Sequence, residues 1–214
     1  MTTPLIAGVL QLDRRSLKGL KVTDPYSLHR VVYSLFADVR SVSEKISSVS
    51  SGILWADQGG DFHGRRILFL SYREPESQEF GEVAFKPIRP DFLKHNRYRF
   101  KVIINPTRRD NISRKLIPVK GRDQISQWFM QCAFNSWGFK VTEGDLQINK
   151  MEVMQFKDKS GRLVTLAQTE LQGSLTVIDD TQFKHSFCAG IGRGRAFGCG
   201  LLQIVPLIDN PFSN

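Results

Sequence analysis

The sequence predicts an α+β protein made of two tandem ferredoxin-like (RRM-like, βαββαβ) domains. Three observations carry that expectation. Apolar runs of strand length and segments with helical periodicity follow one another as strand, helix, strand, strand, helix, strand, and the order then repeats. Pro87 and Pro90 mark a break between the two sets. The chain of 214 residues has room for two domains of about 100 residues. The expected units are residues 1–88 and 96–214.

In the first unit, residues 5–12 form a short apolar run read as a strand. Asp24-Pro25 then supplies an N-cap and a first-turn proline, predicting a helix through about Phe36. Along it Leu28, Val31, Val32, Leu35 and Phe36 recur at three- and four-residue steps, which leaves Tyr26, His29, Arg30 and Tyr33 around the remainder. The Ser-rich stretch 41–51 predicts a loop. Residues 53–56 and 65–72 predict two strands about a turn at Gly59-Gly60, residues 75–80 a short helix, and residues 82–88 the closing strand.

In the second unit, residues 98–105 alternate as a strand and run into a polar, basic stretch, 106–120. Residues 123–137 predict a helix with Ile125, Trp128, Phe129, Cys132, Ala133 and Phe134 on its apolar side. Two long strands follow, 146–156 and 163–178, joined by the turn-rich basic tip 157–162. A helix over 181–189 and a strand over 200–207 complete the second set.

Composition sets the function classes. Hydrophobic residues at 41% and charged residues at 24% are ordinary for a globular protein and exclude disordered, collagen-like and membrane-spanning classes. No apolar run approaches the roughly 18 residues of a membrane span, and residues 1–12 lack the features of a secretory signal, so a cytoplasmic location is expected. Cys132, Cys188 and Cys199 are widely spaced and read as ordinary thiols, with neither a disulfide framework nor a metal site. His63, His95 and His185 are isolated, and the acidic residues form no compact set for two-metal chemistry, so no cofactor or metal is expected. The net charge of +9 suits a phosphate backbone, although basicity alone also fits a solvated surface.

The most specific segment is Gly190-Ile191-Gly192-Arg193-Gly194-Arg195-Ala196-Phe197-Gly198-Cys199-Gly200. Its glycines permit close backbone approach, and Arg193 and Arg195 put two cations on one loop. No Gly-Lys-Ser/Thr follows, and the loop precedes a strand rather than opening a helix, so it is neither a P-loop nor a dinucleotide fingerprint. Taken alone it is equally a flexible connection with solvated arginines. Its position before the last strand of a ferredoxin-like unit, and its continuation into Leu201-Leu202, resemble the C-terminal glycine-rich loop of the repeat-associated RNA-binding superfamily.

More of the chain resembles one branch of that superfamily, the CasE-type CRISPR RNA endonucleases of type I-E Cascade complexes. Tyr26-Ser27-Leu28-His29-Arg30-Val31-Val32-Tyr33-Ser34-Leu35-Phe36 is similar to the family's first-helix motif, with an aromatic Tyr33 where the family often has tryptophan. Asn105-Pro106-Thr107, the basic run after it, and Gly161 in the hairpin tip also fall where the family has them. The resemblance implies a metal-independent endoribonuclease that cuts CRISPR precursor RNA beside the repeat stem-loop through 2′-hydroxyl attack. The product would stay bound to the enzyme as a Cascade subunit. It implies His29 as general acid or base, Tyr26 as an orienting hydrogen-bond partner and Arg30 as the charge stabiliser. Lys157, Lys159 and Arg162 resemble the element that grips the stem, while Arg108, Arg109, Arg114, Lys115 and Lys120 are placed to track phosphates on its flank.

Expected partners are the repeat stem-loop and the other Cascade subunits, with no membrane and a monomeric free state. A non-catalytic RNA-hairpin-binding module of the same fold is the competing reading, and a basic subunit-contact protein a third.

Overall fold

The computed structural model describes residues 4–39, 41, 51–76 and 80–207. Its first sheet contains β1 (Ile6–Asp13), β2 (Ile53–Gly60), β3 (Gly64–Ser71) and β4 (Glu82–Pro87), all antiparallel and ordered β2-β3-β1-β4. The first and third strands are central, as a βαββαβ unit requires. A short helix, α1 (Arg14–Gly19), runs directly off β1, and α2 (Pro25–Ser34) lies across one face.

α2 starts where a capping box fixes it: the Asp24 carboxylate accepts from Ser27 N at 2.7 Å, and Ser27 Oγ accepts from Asp24 N at 2.9 Å. It buries Leu28, Val31 and Val32 against Leu10, Leu12, Trp55, Ile67 and Phe69. Helical geometry stops at Ser34 because the chain tightens there, yet Leu35 and Phe36 still reach this core. Gly8 lets Phe69 lie across β1, since a Cβ there would meet the ring at 2.2 Å.

Along β2, Ile53 and Trp55 face α2 while Leu54 and Ala56 face the other way, where with Leu70 they join a second core. That core belongs mainly to the second sheet, formed by β5 (Arg97–Ile104), β8 (Phe139–Val141), β10 (Leu163–Val177) and β11 (Gln203–Pro206) in the order β11-β5-β10-β8. Two helices, α3 (Arg122–Ser136) and α4 (Asp180–Ala189), cover Tyr98, Phe100, Val102 and Ile104 with Phe129, Ala133, Phe183 and Phe187.

The second sheet corrects the expected assignment of strands. The short β8, read as part of a connection, is the true second strand; β9 (Gln147–Lys157) pairs β10 alone. β10 is 15 residues long, so its C-terminal part pairs β5 and β8 while residues 163–168 run past the sheet with β9 as a hairpin whose Phe156 and Leu166 are buried beside α2. Within the polar, basic stretch 106–120, β6 (Thr107–Arg109) and β7 (Leu116–Pro118) form a second hairpin. The last strand begins at Gln203, because Gly200 N turns back to donate to Ile103 O at 2.7 Å. Most of the Ser-rich stretch and the centre of the expected helix at 75–80 lie outside the described residues; Pro75, Glu76 and Phe80 are not helical.

Candidate active site

α2 carries Tyr26, His29 and Tyr33 on one flank, spaced at three and four residues as neighbours on a helix must be. The His29 ring lies 4.0 Å from that of Tyr33, 6.0 Å from that of Tyr26 in a near-parallel stack, and 5.9 Å from Phe197. Its Nδ1 is 2.8 Å from the carbonyl oxygen of Ala196. A carbonyl can only accept, so Nδ1 is the donor and carries hydrogen. Trp55 Nε1 donates to the same oxygen at 3.2 Å.

The glycine-rich loop holds that carbonyl in place. A single 3-10 turn, Arg195–Phe197, sits between Gly194 and Gly198, whose φ angles of 80° and 81° are left-handed. A Cβ on Gly198 would lie 2.8 Å from the Trp55 ring. From below, Gln168 Nε2 donates to Phe197 O at 2.9 Å and lies 3.5 Å from Cys199 Sγ. Gly190 and Gly200 likewise give close approaches, to Leu54 and to the Ile191 carbonyl, whereas Gly192 borders open space.

The same turn ties in both basic hairpins. Phe197 packs edge-on against Phe156 of β9 at 4.9 Å, and Tyr26 joins a small apolar cluster with Phe156, Leu166 and Cys199. The tip end of the β9–β10 hairpin therefore rests on the His29 helix, with Lys157, Lys159 and Arg162 exposed at the turn just beyond. Asp158 organises that tip by accepting from Ser160 Oγ at 2.6 Å, Ser160 N at 2.9 Å and Arg162 N at 3.0 Å. Ser160 above all, then the backbone amides, hold the carboxyl below its ordinary range.

At the other side, a bridge between Asn105 and Arg193 joins the loop to the root of the β6–β7 hairpin. Arg108, Arg109, Arg114, Lys115 and Lys120 are all exposed there. Arg109 is partly committed, since its Nη1 donates to Arg114 O at 2.8 Å.

Of the residues singled out in the sequence, Tyr26 and His29 are brought together, and Arg30 is exposed one position further along α2. Arg193 is exposed; Arg195, also exposed, donates to Ala189 O at 2.7 Å and so closes the loop onto the end of α4. Sequence reasoning missed Trp55, Gln168 and the Ala196 carbonyl. Only Trp55 carried a signal, because a buried indole N–H demands a partner, yet nothing in the sequence says which. Among the described residues no three His, Cys, Asp or Glu side chains converge, and no helix is long and apolar enough to cross a membrane.

Three comparisons bear on this arrangement. The family described as CRISPR associated protein matches residues 8–206. A curated relative, the CRISPR-associated endoribonuclease Cse3 of Thermus thermophilus, is 24% identical over 200 residues, covering 86% of this chain and 92% of the relative. Cse3 bound to a 19-nucleotide RNA superposes with a TM-score of 0.76 at 23% identity over 95% of this chain and all of the other. Cas6e from Escherichia coli K-12 does so with a TM-score of 0.61 at 19% identity, over 95% of this chain and 100% of its own. A chain of a CRISPR RNA-guided surveillance complex gives 0.70 at 18% identity, over 94% of this chain and 100% of its own. The fold shared with these structures is the tandem ferredoxin-like one.

Proposed function

This chain belongs to the CRISPR associated protein family, and from that membership and the His29 site we propose that it is an endoribonuclease that cuts CRISPR precursor RNA beside the repeat stem-loop. The reaction needs no metal. The ribose 2′-oxygen forms a bond to the adjacent phosphorus as the bond to the 5′-oxygen breaks. One proton leaves the 2′-hydroxyl and another reaches the departing 5′-oxygen, giving a 2′,3′-cyclic phosphate and a 5′-hydroxyl.

The observation that carries this reading is the 2.8 Å contact of His29 Nδ1 with the Ala196 carbonyl, which orients the ring and supports proton transfer through Nε2. Tyr26, in the same stack, orients the ribose or phosphate, and Arg30 stabilises the charge that builds on the phosphorane. Lys157, Lys159 and Arg162 grip the stem, whose narrow major groove favours recognition by shape and phosphates. Arg108, Arg109, Arg114, Lys115, Lys120, Arg193 and Arg195 track the backbone beside it. Residues 1–88 form the domain with the catalytic helix and 96–214 the domain with the basic hairpins. After cleavage the protein keeps the product hairpin and serves, in the cytoplasm, as a subunit of a Cascade assembly.

The test is cleavage of a cognate repeat hairpin in excess EDTA by the wild type and by His29→Ala, with binding followed in parallel. The variant is expected to cut about 10²- to 10⁴-fold more slowly at unchanged affinity. Equal cleavage by both would remove His29 from the mechanism. Binding without any cleavage by the wild type would leave a non-catalytic hairpin-binding module. RNA with a 2′-deoxy sugar at the cut is expected to resist the wild type.

A further inference from the structure

A second basic surface lies away from the His29 flank, where α1 meets the tip of the β2–β3 hairpin. Phe62 at that tip is 74% exposed, an unusual place for a phenylalanine. The Arg14 guanidinium sits over its ring, 4.2 Å from the centroid, and His63 meets it edge-on at 5.8 Å. Arg15, Lys18, Lys21 and Arg66 are exposed around this pair. Among the described residues none of these five cations has a carboxylate within ion-pair distance.

Two of the carboxylates nearby hold backbone turns and stay ionised. Asp13 caps α1 by accepting from Ser16 N at 2.7 Å, and Asp61 accepts from His63 N and Gly64 N at 2.8 and 3.2 Å. The surface thus presents an exposed aromatic ring among five cations, with the carboxylates of Asp13, Asp61 and Glu82 beside them.

It is also connected to the site. A cleft of about 430 Å³ is walled by Trp55, Phe197 and Gly198, immediately behind the turn that holds His29. A second, of about 730 Å³, is walled by Ser16, His63 and Arg66. The two share Gln58, Gly59 and Arg65 as a common wall, so they adjoin across it, and carboxylates line both, Asp24, Asp57, Glu152 and Glu170 in the first and Asp13, Asp61 and Glu82 in the second. In that wall Gln58 Nε2 is buried without a hydrogen-bond partner among the described residues, a donor whose desolvation goes uncompensated. The span along β2 from Trp55 to Gly60 is roughly 16 Å, a distance of a few nucleotides.

We infer that Phe62, Arg14 and the cations of α1 form a binding site for single-stranded RNA flanking the stem-loop, across the Gln58–Arg65 wall from the cleft behind the His29 turn. The inference rests on the RNA-cleaving reading above and extends it to unpaired sequence. Bases stack on aromatic faces without regard to identity, and cations beside them follow the backbone. A face offering both fits a single strand better than a protein partner.

The experiment compares two RNAs, a bare repeat hairpin and the same hairpin with unpaired flanks on both sides, by binding over a salt series and by cleavage. The proteins are the wild type, Phe62→Ala and the triple variant Arg14→Ala, Lys18→Ala, Lys21→Ala. On flanked RNA, Phe62→Ala is expected to bind roughly tenfold more weakly. The triple variant should lose about 2 from the slope of log affinity against log salt, at roughly 0.7 per lost phosphate contact. Neither should change binding or cutting of the bare hairpin, which also certifies that both variants are folded.

Equal affinities of all three proteins for flanked RNA would overturn the site, and so would equal losses on both RNAs. Variants that keep flanked RNA but fail to join the other subunits would overturn it in favour of a protein contact. Failure of the wild type to bind either RNA would instead sink the nuclease reading itself.

Discussion

The Ala196 oxygen accepts two N–H groups, and the two donors differ in what their loss costs. Trp55→Phe keeps most of the ring's packing and deletes the N–H that pins the carbonyl. With one hydrogen bond worth about 1 kcal/mol, single-turnover cleavage is expected to fall several-fold while RNA affinity holds. An unchanged rate would make Trp55 a packing residue only. Beneath the turn, burial drives the Cys199 thiol up to about 12, Gln168 opposing only in part. Alkylation of the native protein should therefore modify the half-buried Cys132 and Cys188 well before Cys199, and equal labelling would show that the loop opens. At this scale His29 was legible, since its motif put it on a helix beside Tyr26. Trp55 was not, because its partner is a backbone atom 141 residues away.

Among the elements, the glycine-rich turn and the β9–β10 hairpin are the ones whose failure can be read separately from unfolding. Gly198→Ala places a side chain at φ 81° and into the Trp55 ring, costing about 1–2 kcal/mol for the backbone alone. The shift falls on Ala196, so cleavage should drop further than the melting temperature does, and a parallel decline of both would deny the turn its positioning role. The hairpin tip responds to acid. Because the Asp158 carboxyl is lowered in the folded chain, its contribution is whole above the ordinary carboxylate pKa of about 3.9 and vanishes as pH falls through the lower folded value. Amide protection at Ser160 and Arg162 should persist at pH 5 and disappear first in strong acid; protection independent of pH would mean the carboxylate does not hold the turn. The strands of this hairpin were visible as alternating runs, but their place was not. Alternation is the same for a sheet strand and for one that leaves the sheet, and a three-residue β8 has no period to detect.

For the whole molecule, the tandem plan could be read from the order of elements, whereas the joining of its halves could not. Leu54, Ala56 and Leu70 look like an ordinary strand's apolar side, yet they pack with Phe187, Ile191, Leu201 and Leu202 from the other unit. Leu54→Ala should cost about 2–5 kcal/mol and lower one shared unfolding transition. Two calorimetric transitions, only one of them moved, would mean the units unfold independently. The Ala196 oxygen stands on this seam, supplied by the second unit to rings of the first across 167 residues of chain. A nascent polypeptide on the ribosome owns its histidine long before it owns the acceptor that sets the tautomer. On the function proposed above it passes through synthesis disarmed, and RNA cleavage begins only once both halves have been made and have closed on each other.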